Sequence, residues 1–201
     1  MFTISNEIGR FAKLDPAEEI VALWLKQQGF FIMTGVRVGY RGKEIDFLAV
    51  DIKNDRRIHV EVHASVSPLG RLRPWGPAKY SKWPLTDRVK YYYYDKFIGA
   101  TKEGKKELLN RCIEEKVLEK FSGKNYEKWL VLAQLHPGDK PEDIKLQFKK
   151  HGVEVFFLNE ILEQIKLEGT AKDATGRFLQ LLASQLTDEA KKALLSSKQK
   201  G

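Results

Sequence analysis

The sequence is poor in sulfur: Cys112 is the single cysteine, and methionine occurs only twice. One cysteine excludes an internal disulfide framework and any zinc site built from paired cysteines. No apolar run approaches the ~18 residues of a membrane span. The opening Met1-Phe2-Thr3-Ile4-Ser5 lacks the basic and long apolar regions of a signal peptide, so the chain reads as cytoplasmic. There is no internal repeat, and no low-complexity tract beyond Lys198-Gln199-Lys200. Charge, by contrast, is plentiful: 35 basic and 27 acidic residues give a net charge of +8 over 201 residues. That balance favours a polyanionic partner, nucleic acid before an acidic membrane. The length suits one domain, expected over residues 1–168, with a helical hairpin or tail over 169–201 packed on the core or on a second subunit.

Asp15-Pro16-Ala17-Glu18 is a helix start, with Asp15 as N-cap and proline at the first helical position. The helix is expected to end near Gln28, at Gly29. Glu18 shares its face with Val21, Ala22 and Leu25, whereas Glu19 points toward Leu23 and Lys26. Glu18 is therefore the acid that looks inward, unless it serves only as a first-turn acid on the helix dipole. Phe30–Val38 reads as a strand and Gly39–Gly42 as a turn. Two further strands, Ile45–Val50 and Ile58–Ala64, are joined by the turn-prone Asn54-Asp55-Arg56-Arg57. Links this short predict an antiparallel meander. Later elements alternate: helices at Asp87–Ile98 and Lys102–Phe121, a strand at Trp129–Leu135, a helix at Ile144–Lys150, a strand at Val153–Leu158, and a helix Glu160–Leu167 capped by Asn159. On the second helix, Leu108, Leu109, Cys112 and Val117 suggest the inner side. Alternation predicts parallel additions to the sheet, hence an α/β fold with a central mixed sheet flanked by helices.

Two strands carry acid where a plain core strand would not. Asp46 lies just inside the first and Glu61 in the middle of the second. Side chains alternate along a strand, so Ile58, Val60, Val62 and Ala64 share one face while His59, Glu61 and His63 share the other. A carboxylate between Val60 and Val62 is costly unless paired, solvated or bound to a metal. Glu18, Asp46 and Glu61 can converge on one hard cation, and Mg²⁺ commonly takes only one or two protein carboxylates while keeping several waters. His63 projects on the same side as Glu61, which adds a candidate base beside a metal-bound water. The three-residue set His59, Glu61 and His63 does not suit zinc, because its members lie ~6.5 Å apart along the strand. His136 and His151 read as loop residues without a role.

The segment Ala64–Thr86 changes character. It holds four of the seven prolines and no acid, and interleaves Arg71, Arg73, Lys79 and Lys82 with Trp75, Tyr80 and Trp83. Basic groups bind phosphates and aromatic rings stack on unpaired bases, so the mixture suits a nucleic-acid contact or a flap. The alternative is an exposed loop whose tryptophans pack down on the core. Arg41, Lys43 and Lys90 complete the expected basic surface. The run Tyr91–Tyr94 points around most of a helix, leaving some rings for a groove or an oligomer contact.

At Ala17-Glu18, Trp24-Leu25 and Gly29-Phe30, then Gly42-Lys43-Glu44-Ile45-Asp46, then His59-Val60-Glu61-Val62-His63, the sequence resembles the PD-(D/E)xK nuclease superfamily. These are the restriction-endonuclease-like and Holliday-junction-resolvase-like proteins. Order and spacing match over Pro16–Ala64, a quarter of the chain. The resemblance implies a restriction-endonuclease-like three-layer fold. It also implies a Mg²⁺- or Mn²⁺-dependent nuclease, acting on DNA more often than RNA, and a homodimer. It makes Asp46 and Glu61 metal ligands, with the Val62 carbonyl as third contact and Glu18 binding directly or through water.

The sequence departs from this pattern at His63, where relatives carry lysine. Lysine positions the attacking water and offsets charge building on the phosphate. Neutral imidazole serves as a general base and imidazolium stabilises charge, but one ring cannot do both at once. Either His63 is the base, with activity falling as pH drops through its pKa, ~6.5 if unperturbed, or a lysine such as Lys43, Lys79 or Lys90 reaches in from elsewhere. The third option is a non-cleaving nucleic-acid-binding module on a degenerate nuclease fold.

Overall fold

The computed structural model describes residues 14–38, 43–64, 74–75, 82–98 and 112–165. Helix α1, Pro16–Gln27, opens with the expected cap: Asp15 Oδ1 accepts from the Ala17 and Glu18 amides, and Glu18 Oε2 accepts from the Asp15 amide at 2.9 Å. Five strands follow: β1 Phe31–Met33, β2 Val36–Val38, β3 Lys43–Ile45, β4 Phe47–Asp51 and β5 Arg56–His63. Next come α2 Leu85–Tyr93, a π-helical turn Tyr94–Ile98, and α3 Cys112–Lys120. The remaining elements are β6 Glu127–Leu132, α4 Pro141–Lys149, β7 Val153–Phe157 and α5 Leu158–Gln164.

The main sheet runs β1-β4-β5-β6-β7. Its first three strands are antiparallel, and β6 and β7 add parallel to β5. This is the α/β class with a mixed sheet. On one face, Phe47, Ala49, Ile58, Val60, Trp129 and Val131 pack against α1 and α5. On the other, Leu130, Leu132, Val153, Val155 and Phe157 pack against α2, the π-helical turn and α4. Strands β2 and β3 form a separate two-stranded ribbon, which packs on α3 through Val36, Val38, Ile45, Ile113, Val117 and Phe121. Among the described residues no helix is long and apolar enough to cross a membrane.

Several expected boundaries shift for identifiable reasons. Phe30–Val38 is two strands rather than one, and the expected Ile45–Val50 strand is likewise split at Asp46. Met33 faces Leu48 and Val36 faces Ile45, so both parts keep one register, which sets Gly35 opposite Asp46. Gly35 adopts φ 68°, a conformation costly for residues with a side chain. The long hairpin therefore bends at the Gly35–Asp46 level, and Asp46 sits at the bend. Phe157, not Asn159, occupies the cap of α5, where Glu160 Oε2 accepts its amide at 3.1 Å. The inner side of α3 is Ile113 and Val117, continued by Phe121 just past its end. Leu108, Leu109, the Cys112 side chain, the Gly39–Gly42 turn and the 169–201 tail lie outside the described residues.

Candidate active site

Strand β5 supplies the centre. Its pairing with β4 sets Phe47 against Val60, and one step further the same register brings Asp46 level with Glu61. The two acids thus come from adjacent strands, on the face away from α1. Glu61 is fully buried, 0 % exposed, with Oε1 hydrogen-bonded and Oε2 facing a cation without a hydrogen bond. His59 Nε2 lies 3.0 Å from Oε1, and Lys96 Nζ lies 3.1 Å from Oε2. Burial raises the Glu61 pKa, but the Lys96 charge and the His59 hydrogen bond outweigh it and leave the carboxyl below its ordinary range. Lys96 mirrors this. Burial lowers its pKa, while Glu61, Tyr92 and Asp46 together hold it above the usual lysine value.

Asp46 is in the opposite state. Its Oδ2 accepts from the Val62 amide at 2.7 Å. Burial first, and the nearby Glu61 charge second, push its pKa up to about 8. One ammonium balances one carboxylate, and Asp46 is the acid left over; it keeps its proton at neutral pH. Glu18, on α1, is coupled to this group through its charge. Its pKa is raised, chiefly by burial, and it feels the charges of Lys96 and Glu61 while still closing the cap of α1. The two readings of Glu18 are therefore compatible.

His63 is held neutral. Burial, then the Lys96 charge, lowers its pKa to about 4, despite a hydrogen bond to the Pro74 carbonyl. That bond uses a ring N–H, and Nε2 is buried without a partner. With Nε2 unpartnered, the proton belongs on Nδ1, which leaves the Nε2 lone pair free. A fall in activity near ~6.5 is expected only for an unperturbed ring, and this ring is perturbed: its neutral form persists far lower. Tyr92 stands edge-on to His63, ring centroids 5.6 Å apart, with its hydroxyl buried and unpartnered beside Lys96.

Lys96 is the residue that sequence reading missed; the three lysines considered were Lys43, Lys79 and Lys90. Lys90 is exposed on α2, Lys43 has no described side chain, and Lys79 lies outside the described residues. Lys96 sits on the π-helical turn, whose wider winding sets it against the sheet. Val89, Tyr92 and Lys96 recur at i, i+3 and i+7, so a lysine on an apolar helix face was the available signal.

The expected nucleic-acid surface is largely outside the described residues: Arg41, Arg71, Arg73, Lys79 and the Lys43 side chain lie there. Lys82 is exposed. Trp75 is a correction, because it is only 1 % exposed and offers no face to a base. His136 Nε2 donates to its carbonyl at 2.8 Å, its amide donates to the Gln134 carbonyl, and the Arg88 guanidinium stacks 5.2 Å from its ring. Arg88 is in turn fixed by two bonds to Asp139, at 2.8 and 2.6 Å. His136, expected to be a plain loop residue, is therefore an anchor. Trp83 is the exposed tryptophan, at 41 %, edge-on to Tyr91.

Among the described residues, no three His, Cys, Asp or Glu side chains form a ready-made metal cage. The donor set still suits a hard cation. Mg²⁺ needs only one or two carboxylates, and a group with one carboxylate too many is what a cation relieves. No protein-family model, no curated protein and no solved structure matches the chain.

Proposed function

We propose that the chain is a metal-dependent nuclease that hydrolyses phosphodiester bonds, in DNA before RNA, on a restriction-endonuclease-like fold. The observation that carries this reading is the pair of facing acids with a single ammonium. Glu61 is ionised and balanced by Lys96, while Asp46, half-buried beside it, is pushed up to about 8 despite the Lys96 charge and the Val62 amide. At that bend the Asp46 side chain accepts the Val62 amide, a bond that needs an acceptor but not a charge. Asp46 and Glu61 would hold Mg²⁺ or Mn²⁺, with the Val62 carbonyl and Glu18 as further contacts. When bound, the ion supplies Lewis-acid stabilisation of the phosphate and a more acidic water.

The other roles belong to the chain's own side chains. His63 offers an unprotonated Nε2 that can accept the proton of the attacking water. Lys96 supplies the positive charge absent from position 63 and offsets charge developing on the phosphate. The resemblance over Pro16–Ala64 and the net charge of +8 point to the same substrate class. The test is cleavage of duplex, single-stranded and branched DNA and of RNA, with Mg²⁺, Mn²⁺ or chelator. Metal-dependent products that vanish in Asp46→Ala are expected. All substrates surviving clean preparations would overturn the reading.

One observation favours a second reading. Lys96 ion-pairs with Glu61 and His59 hydrogen-bonds its Oε1, so the charge of the acid is balanced without any metal, although Oε2 has no hydrogen-bond partner. A non-cleaving nucleic-acid-binding module would show salt-sensitive binding and no turnover.

A further inference from the structure

His59 occupies a place that a leucine would fill more cheaply. It is 0 % exposed, between β5 and the π-helical turn, with its ring edge-on to Phe97 at 5.0 Å and tilted to Tyr126 at 6.4 Å. Its Nδ1 is buried with no partner, so half of its hydrogen-bonding capacity goes unused at a cost in stability. The other half is spent on one atom, Glu61 Oε1, two residues away on the same strand face. Phe97, which the ring touches, directly follows Lys96, the partner of Oε2. His59 therefore reaches Glu61 and adjoins the turn that carries its counter-ion.

We propose that His59 is a positioning residue. It holds Glu61 Oε1 against the core, so that Oε2 alone is presented toward Lys96 and the Asp46 side of the site. Its consequence for catalysis rests on the nuclease reading above. A glutamate has three side-chain torsions, and without a fixed partner on Oε1 its carboxylate can rotate and present either oxygen. Fixing a ligand through an outer partner sharpens its geometry, and loss of such a partner typically lowers metal affinity or activity ~10–100-fold.

The test uses three substitutions. In His59→Gln the amide nitrogen falls where Nε2 was; in His59→Asn it falls where Nδ1 was; His59→Leu has no donor. Mn²⁺ binding, kcat and KM on DNA, and crystal structures are compared with the unaltered protein. His59→Gln is expected to retain Mn²⁺ affinity and kcat within a few-fold. His59→Asn and His59→Leu are expected to lose ~10–100-fold in both, with KM little changed, and to show Glu61 rotated. A purely structural role would rank the variants by packing and would not separate Gln from Asn in this way. Equal behaviour of Gln and Asn, or an unmoved Glu61 in both donor-deficient variants, overturns the proposal. If His59→Leu does not fold, the Gln–Asn comparison decides. If the unaltered protein neither binds Mn²⁺ nor cuts, the nuclease reading falls and the crystal structures alone decide the positioning claim.

Discussion

The two faces of β5 are built from the same eight residues and obey opposite rules. Toward α1 and α5, Ile58 and Val60 are fully buried in a hydrophobic cluster with Phe47, Ala49, Trp129 and Leu25. Toward α2 and the π-helical turn, His59, Glu61 and His63 meet Asp46, Lys96 and Tyr92, and the buried His59 Nδ1, His63 Nε2 and Tyr92 hydroxyl lack partners. The first face is what a strand needs in order to fold. The second holds ionisable groups at a cost in stability that the fold does not require, and such groups cluster where chemistry is done.

Breaking the contrast most severely means removing the counter-ion. Lys96→Met should leave Glu61 buried and unpaired, costing about 3–5 kcal/mol in unfolding experiments. It should also lower cleavage by about 10²–10³ in single-turnover assays. On the other face, Ile58→Ala should cost about 2–5 kcal/mol through its cavity, yet leave the specific activity of the folded fraction unchanged. Activity lost in proportion to polar-face changes only would sharpen the comparison; equal losses from both faces would erase it.

Asp46 gives a smaller effect with a distinctive sign. The folded pKa of about 8 stands above the ordinary aspartate value of 3.8, so between those values the native state holds a proton that the unfolded chain has released. Its contribution to stability is therefore fully present at low pH and is lost as pH rises toward 8. Without divalent metal, Asp46→Asn should become the more stable protein as pH rises, by about 1 kcal/mol or more at pH 8–9. Denaturant curves across that range check it. The smallest effect concerns His63. With a folded pKa of about 4 against 6.5, it is neutral across the physiological range. Its share of stability is lost as pH falls from about 6.5 through 4, and cleavage should show no inflection at 6.5 due to this ring. NMR titration of the His63 ring carbon reads that value directly.

Much of the site was legible because acids in apolar strands are locally inconsistent. Asp46 and Glu61 stood out for that reason, and the capped start of α1 drew in Glu18. The alternation along β5 correctly put His59, Glu61 and His63 on one face. What stayed hidden depends on tertiary placement. Asp87–Ile98 reads as one helix, and no local pattern marks where α-helical winding turns to π and carries Lys96 to the sheet. Nor does local sequence say which tryptophan of a basic, proline-rich segment is swallowed: Trp75 needed Arg88, Asp139 and His136, which come from distant stretches. The bend at Gly35 and Asp46 was missed because each half of the hairpin reads as a continuous strand, and only the shared register exposes it.

The central claim is that the polar face of β5 gives up stability for metal-dependent phosphodiester chemistry. Asp46→Asn tests it in one comparison, with unfolding stability at pH 8 in chelator and DNA cleavage in Mg²⁺ measured on the same preparations. Asp46→Asn is expected to be at least as stable as the unaltered protein and inactive against DNA that the unaltered protein cuts. Undiminished cleavage by Asp46→Asn, or no cleavage by either protein on any DNA form, would contradict it.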